Sequence, residues 1–252
     1  MQTINFDRLE LKNGERFLDV GCGEGRHTIG AYLHADVEAI GVDLSEKDLA
    51  TAGERAEQFV DPENKNRSLH FQTANALELP FEDNSFDKVI CSEVLEHIPD
   101  FQGVLKELQR VVKDDGVIAI SVPRAWPEDI CWRLSEDYHR TPGGHIRIFN
   151  AMHLRQEVED LGWSRYYRHW AHALHVPYWW LKCKYWGQED DQVWALRHYH
   201  KFLVWDLMQR PLLTKVLDKI LNPIMGKSIV MYFKKDPTAA TTATTAATAT
   251  GE

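Results

Sequence analysis

Leu18-Asp19-Val20-Gly21-Cys22-Gly23-Glu24-Gly25-Arg26-His27-Thr28 decides the fold. An apolar strand, Arg16 to Val20, runs into a turn dense in glycine, and a helix pattern follows from about Arg26 to His34. A strand that stops on glycines and restarts as a helix is how a doubly wound α/β fold holds a nucleotide-like ligand. The glycines let the backbone approach the ligand, and the helix N-terminus faces it. The glycines fall as G-x-G-x-G, and Arg26 stands where the dinucleotide fingerprint has its last glycine. Asp19 and Glu24 put negative charge around the turn. That charge suits a pyrophosphate poorly and suits a ligand carrying an ammonium and a sulfonium well.

Outward from this turn, strands and helices alternate. Asn5–Leu11 reads as an extended lead-in that ends at the Asn13-Gly14 turn. A second strand, Val37–Val42, closes on Asp43, an acid placed to accept two hydrogen bonds from a ribose diol; capping the next helix is its competing role, for which Ser45 also stands ready. Glu46–Phe59 reads as a helix, Ser68–Thr73 as the third strand and Lys88–Ser92 as the fourth. Phe101–Val112 is an amphipathic helix, Lys113–Gly116 a turn, and Val117–Val122 the fifth strand. This order implies a parallel sheet with helices on both faces. Pro123–Phe149 reads as an irregular lid over the crevice. Asn150 is placed to cap a helix over Ala151–Leu161 that stops at Gly162, Trp163–Ala171 alternates as a sixth strand, and Ser228–Phe233 is the last strand. The residues between the last two strands, 172–227, read as an inserted cap containing one helix-like stretch, Val193–Leu221.

The turn resembles the first motif of the class I S-adenosylmethionine-dependent methyltransferases, commonly V-L-D-x-G-C-G-x-G, and the resemblance runs from about Arg16 to Val122. It implies a Rossmann-like, seven-stranded, mostly parallel, doubly wound sheet with an antiparallel last strand and an α-helical, aromatic cap inserted before it. It further implies S-adenosylmethionine as cofactor, held by Asp19, Gly21, Cys22, Gly23, Gly25, Asp43, Leu44, Asn75, Ala76 and Ser92. Ala74–Phe81 is similar to the family segment G-D-A-x-x-L-P-F beside the adenine ring. Asn75 replaces the family's acid there, and its amide oxygen can still accept a hydrogen bond.

Methyl transfer needs nucleophile and methyl held close and aligned, with a base where the nucleophile carries a proton. Glu93-x-x-Glu96-His97, at the end of the fourth strand, and His145, on the lid, are the candidate catalytic residues. They are also candidate ligands for a divalent cation such as Mg²⁺. E-x-x-E-H followed by a lid histidine resembles the O-methyltransferases of ubiquinone biosynthesis and the small-RNA 2′-O-methyltransferases, in which a metal holds an acceptor oxygen beside the methyl. Three readings stay open for this cluster: metal site, metal-free base, and structural support of the cofactor. His27 is expected to line the cofactor pocket. Arg147 is expected to hold an anionic substrate group or to pair with an acid such as Glu136. Tyr138 and His139 are further lid residues.

Composition narrows the function. The 252 residues carry a net charge of −9 and are 44% apolar, which fits a globular domain over 1–235 and disfavours a broad nucleic-acid-binding face. Within it, 14–122 reads as the cofactor half, 123–149 as the lid and 172–227 as the cap. The four cysteines are scattered, without the spacing of a disulfide framework or zinc site. No signal core and no run of about 18 apolar residues is present, so a cytoplasmic protein is expected. The alanine- and threonine-rich 236–252 reads as a disordered tail. All nine tryptophans lie at or after Trp126, so the second half is expected to select the acceptor. Consecutive aromatics at Tyr178-Trp179-Trp180, followed by basic residues from Lys182 through Lys201, Arg210, Lys215, Lys219 and Lys227, suit peripheral contact with an anionic membrane or a greasy substrate mouth; burial of the cap against the sheet is the competing reading. O-methylation of a small or lipid-linked acceptor is the function expected. An RNA 2′-O-methyltransferase and a dinucleotide-binding or catalytically silent module are the alternatives.

Overall fold

In the computed structural model, which describes residues 2–235 apart from Pro142 and Arg210, one seven-stranded sheet organises the chain in the order β3-β2-β1-β4-β5-β7-β6. The proposed tail and Arg210 lie outside the described residues. The strands are β1 (Arg16–Val20), β2 (Glu38–Asp43), β3 (Ser68–Thr73), β4 (Phe86–Ser92), β5 (Val112–Pro123), β6 (Trp163–Ala171) and β7 (Ser228–Lys235). β1 to β5 pair in parallel, and β7 runs antiparallel between β5 and β6. The expected sheet, with its reversed last strand, is therefore the observed one.

The helices are α1 (Phe6–Leu9), α2 (Arg26–His34), α3 (Glu46–Ala56), α4 (Phe101–Val111), α5 (Ala125–Leu134), α6 (Glu136–Arg140), α7 (Ala151–Glu159), α8 (Val176–Lys184), α9 (Trp194–Gln209) and α10 (Leu212–Met225), with a 3₁₀ turn at Ala173–His175. Apolar residues lie on both faces of the central strands because helices cover both. Leu18, Val20, Val89 and Ile120 face one core with α4 and α7; Phe17, Ile90, Ala119 and Tyr232 face the other with α1 and α2.

Several boundaries differ from the sequence reading. Asn5–Leu11 is not extended, because Asn5 accepts from Arg8 N and caps α1, which buries Phe6 and Leu9. The α3 helix stops at Ala56, short of Phe59. Strand β5 begins at Val112 rather than Val117. Val112 pairs with Phe86 and Val117 with Lys88, so Lys113–Gly116 form an excursion within the strand. The lid is helical rather than irregular: α5 buries Pro127, Glu128 and Cys131 on one face, and Pro127 sits in its first turn, where a missing N–H costs nothing. The single stretch Val193–Leu221 is two helices, and Pro211 caps the second. Among the described residues no helix is long and apolar enough to cross a membrane.

Candidate active site

The turn after β1 is shaped by its backbone. Gly21 N and Cys22 N both donate to Val42 O, and Gly23 N donates to Asp43 Oδ2 at 2.8 Å. Gly21 has a φ of +72°, and a Cβ there would stand 2.3 Å from Val94 Cγ2. The loop after β4 thus leans on this glycine. Gly23 has a φ of +51° with open space where a Cβ would be, which leaves that face of the turn to a ligand. Gly25, at φ +78°, is the N-cap of α2.

Asp19 is buried under the turn. Its Oδ2 accepts from Thr28 Oγ1 at 2.8 Å, while its buried Oδ1 has no partner among the described residues. Burial pushes this carboxyl up to about 6, opposed in part by the Thr28 hydrogen bond. A buried acid with a spare oxygen fits a cationic group. Burial also pushes the Cys22 thiol far up, so it is a packing residue rather than a nucleophile. Asp43 Oδ1 accepts from Ser45 N at 2.9 Å, and Ser45 itself caps α3 by accepting from Asp48 N. Leu44 is exposed and Ala76 buried. The exposed Asn75 spends one lone pair of its Oδ1 on Leu77 N.

At the ends of β4 and β5 a polar chain runs from Ser92 through Ser121 to Glu93. The two hydroxyl oxygens lie 2.8 Å apart, and Ser121 Oγ donates to Glu93 Oε1 at 3.0 Å. Glu93 has a φ of +58° and places Oε2 3.7 Å from Lys227 Nζ. Left-handed backbone at a residue with a side chain is costly and turns the strand abruptly into its loop.

Glu96, His97 and His145 converge: their ligating atoms all lie within 4.8 Å of one another. Glu96 is fully buried, and neither carboxylate oxygen has a hydrogen-bond partner among the described residues. Burial, then the charge of Glu93, pushes its carboxyl well above the usual range. His145 Nε2 lies 4.0 Å from Glu96 Oε1. The exposed His97 presents its ring edge-on to His145, with centroids 4.9 Å apart, and places Nδ1 3.2 Å from Gly144 O. Partial desolvation of the ring against the lid, then the His145 charge, lowers its imidazole. Ile146 N donates to Glu96 O, which fastens the lid to the β4–α4 loop. Glu93 stands apart from this trio.

Sequence reasoning missed Glu128. Its Oε1 lies 2.6 Å from His145 Nδ1 and also accepts from Trp132 Nε1 at 3.1 Å; Tyr138 OH points to Oε2 at 3.5 Å. Burial alone would raise the Glu128 carboxyl, but His145 and Lys227 hold it below its ordinary value. The available signal was the first acid of the Glu128-Asp129 pair, one turn before Trp132. Nothing in the sequence tied Lys227 or Ser121 to this site, since long-range contacts bring them here.

Other expected residues lie elsewhere. His27 is buried and accepts through Nε2 from Thr3 N at 3.0 Å and Ile4 N at 3.3 Å, so it anchors the N-terminal segment instead of lining the pocket. Arg147 neither faces an open anion site nor pairs with Glu136. It donates to Pro99 O at 2.8 Å and stacks on Phe101, while Glu136 pairs with Arg140. His139 stacks on Trp132. The Tyr178-Trp179-Trp180 run packs inward: Trp180 donates to Pro127 O, and Trp179 lies against Tyr138.

An acid under a glycine turn, facing the ends of parallel strands that a reversed strand completes, is the arrangement of the class I S-adenosylmethionine-dependent methyltransferases. Residues 11–184 match the methyltransferase domain family, and the chain belongs to it. It is 38% identical over 112 residues to the 27-O-demethylrifamycin SV methyltransferase of Amycolatopsis mediterranei, covering 44% of this chain and 40% of that one. It is 28% identical over 154 residues to the sterol 24-C-methyltransferase erg6 of Aspergillus fumigatus, covering 61% and 37%. These matches span less than half the length of either relative. The YcgJ protein of Bacillus subtilis has the same fold, with a TM-score of 0.59 at 19% identity over 92% of this chain and 96% of that one. The family match ends before α9, α10 and β7.

Proposed function

We propose that this chain is an S-adenosylmethionine-dependent methyltransferase that methylates an oxygen of a small or lipid-linked acceptor, with residues 1–235 acting as one domain, cap included. S-adenosylmethionine, when bound, supplies a methyl group already activated on a sulfonium. Asp19 would take its ammonium and Asp43 its ribose diol; the glycine turn, Leu44, Asn75, Ala76 and Ser92 would line the rest. The acceptor side falls to Glu96, His97 and His145.

The observation that carries the oxygen acceptor is the Glu128–His145 contact of 2.6 Å. With Nδ1–H donated to Glu128, the His145 Nε2 is left as an acceptor and can take a hydroxyl proton. A second reading is favoured by Glu96, whose two buried oxygens lack partners. With His97 and His145 they form a donor set of one carboxylate and two imidazoles, which suits Mn²⁺ or another transition cation better than the oxygen-preferring Mg²⁺; a cation held there would acidify a bound hydroxyl. The protein's own charge counts against an RNA acceptor. The aromatic and basic cap supports peripheral membrane contact beside an otherwise cytoplasmic location.

Calorimetric titration with S-adenosylhomocysteine, with EDTA and then with Mn²⁺ or Mg²⁺, tests both readings. Micromolar binding supports the cofactor assignment, and a Mn²⁺ or Mg²⁺ heat abolished by Glu96→Ala supports the metal. Absence of S-adenosylhomocysteine binding together with tight NAD binding returns the turn to the dinucleotide class.

A further inference from the structure

Among the described residues, nothing covers the apolar face of helix α10. At 100° per residue, Leu212, Leu213, Val216, Leu217, Ile220 and Ile224 fall within an arc of about 140°. All six are exposed, Leu212 to 76% and Ile224 to 63%. The inward face is instead Thr214, Asp218 and Asn222. Thr214 is buried, Asp218 accepts from Leu174 N, and Asn222 accepts from Ala173 N. A helix whose polar groups face the protein and whose leucines face out is inverted for water. Burying such side chains is favourable, so six left bare call for a partner.

Charge selects that partner. The chain carries −9 overall, yet the stretch from Trp194 to Lys227 holds six lysines and arginines against two acids. Lys215 and Lys219 border one edge of the α10 arc, and Arg197 and Lys201 lie on α9. None of these four has an acidic partner within salt-bridge distance among the described residues. Of the two acids, Asp218 bonds inward to Leu174 N, and Asp206 lines a cavity of about 600 Å³ that Lys215, Ile29, Leu174 and Thr214 also line. Trp205 and Met208 of α9 are exposed as well. Unpaired lysines beside a bare aliphatic arc are what an anionic bilayer surface recognises: the stems lie along the apolar layer and the ammoniums reach the headgroups.

We propose that α10, supported by the exposed side chains of α9, docks this protein on an anionic phospholipid surface as an in-plane amphipathic helix. This moves the membrane contact from the Tyr178–Trp180 run, which packs inward, to a face beyond the family match. It deepens the lipid-linked reading of the acceptor but does not depend on methyl transfer, so its failure leaves the cofactor assignment standing.

The test is flotation of the full chain with vesicles of phosphatidylcholine alone and of phosphatidylcholine with one-quarter phosphatidylglycerol, at low and high salt. Binding to the anionic vesicles is expected, weakened by salt and accompanied by a blue shift of tryptophan emission. Lys215→Gln with Lys219→Gln should lower the partition on the order of tenfold. Ile220→Asp with Ile224→Asp should abolish it while leaving the melting temperature and S-adenosylhomocysteine binding unchanged. No flotation, or equal flotation with both vesicles at every salt concentration, overturns the proposal. So does a concentration-dependent dimer that the isoleucine pair removes, which would assign the arc to a second copy of the chain.

Discussion

Glu128 Oε1 and His145 Nδ1 lie 2.6 Å apart, joining the first helix of the lid to its last loop. A carboxylate on one ring nitrogen fixes the imidazole's orientation and decides which nitrogen stays open. Glu128→Gln is expected to lower turnover or cation affinity by about 10–100-fold with little change in S-adenosylhomocysteine affinity. His145→Asn should cost as much, and the double variant no more than either. Additive losses would separate the two residues. Mn²⁺ or Mg²⁺ titration reads this without a known acceptor.

Gly21 and Val94 make a steric pair. Alanine at 21 meets a left-handed φ of +72° and a methyl 2.3 Å away. Strain and overpacking each cost about 1–3 kcal/mol, so Gly21→Ala should destabilise clearly in urea unfolding. Val94→Ala in the same chain should recover the overpacking share and leave the strain. Full recovery would mean that the backbone conformation carries no cost.

Asp19 and pH are linked. Its carboxyl titrates near 6 in the fold against an ordinary 3.8. The folded state therefore binds the proton more tightly, and the stability tied to this group falls as pH rises from about 4 to about 6. About two units correspond to roughly 3 kcal/mol. Asp19→Asn should melt higher than the native chain at pH 7.5 and no higher at pH 3.5. It should also bind S-adenosylhomocysteine more weakly. An identical melting difference at both pH values would remove Asp19 as the source.

His27 has the opposite sign. Burial, then the charge of Arg26, holds its imidazole well below 6.5, and its Nε2 must stay unprotonated to accept from Thr3 N and Ile4 N. Below pH 6.5 the unfolded chain gains a proton that the fold refuses, so stability falls as pH drops, by up to about 1.4 kcal/mol per unit for this group. His27→Gln keeps an acceptor and should flatten the decline between pH 6.5 and 5. Unchanged steepness would place the acid sensitivity on other buried histidines, such as His172.

How much the chain disclosed depended on distance along it. The limits of β1 and α2 are legible in the sequence because strand, glycines and helix are adjacent and each signal is local. Asn150 and Ser45 were legible as caps for the same reason. Helices α5 and α6 were not, since Pro127 in a first turn and aromatics on several sides blur the helical period. Glu128 faces a histidine 17 residues on, and Lys227 reaches Glu93 across more than a hundred residues; proximity of that kind is created by the sheet. The inverted α10 shows the converse: its pattern marks an amphipathic helix plainly, but only the fold reveals that the apolar side looks outward.

Strand β7 bears on how the chain is made. It lies between β5 and β6, and among the described residues β6 has no other neighbour in the sheet. Without residues 228–235, β5 keeps an unpaired edge and β6 has no strand partner. Tyr232, which accepts from Asn5 N, ties the segment before β1 to the same strand. A nascent chain stalled before β7 would present a bare apolar edge, the state most in need of a chaperone.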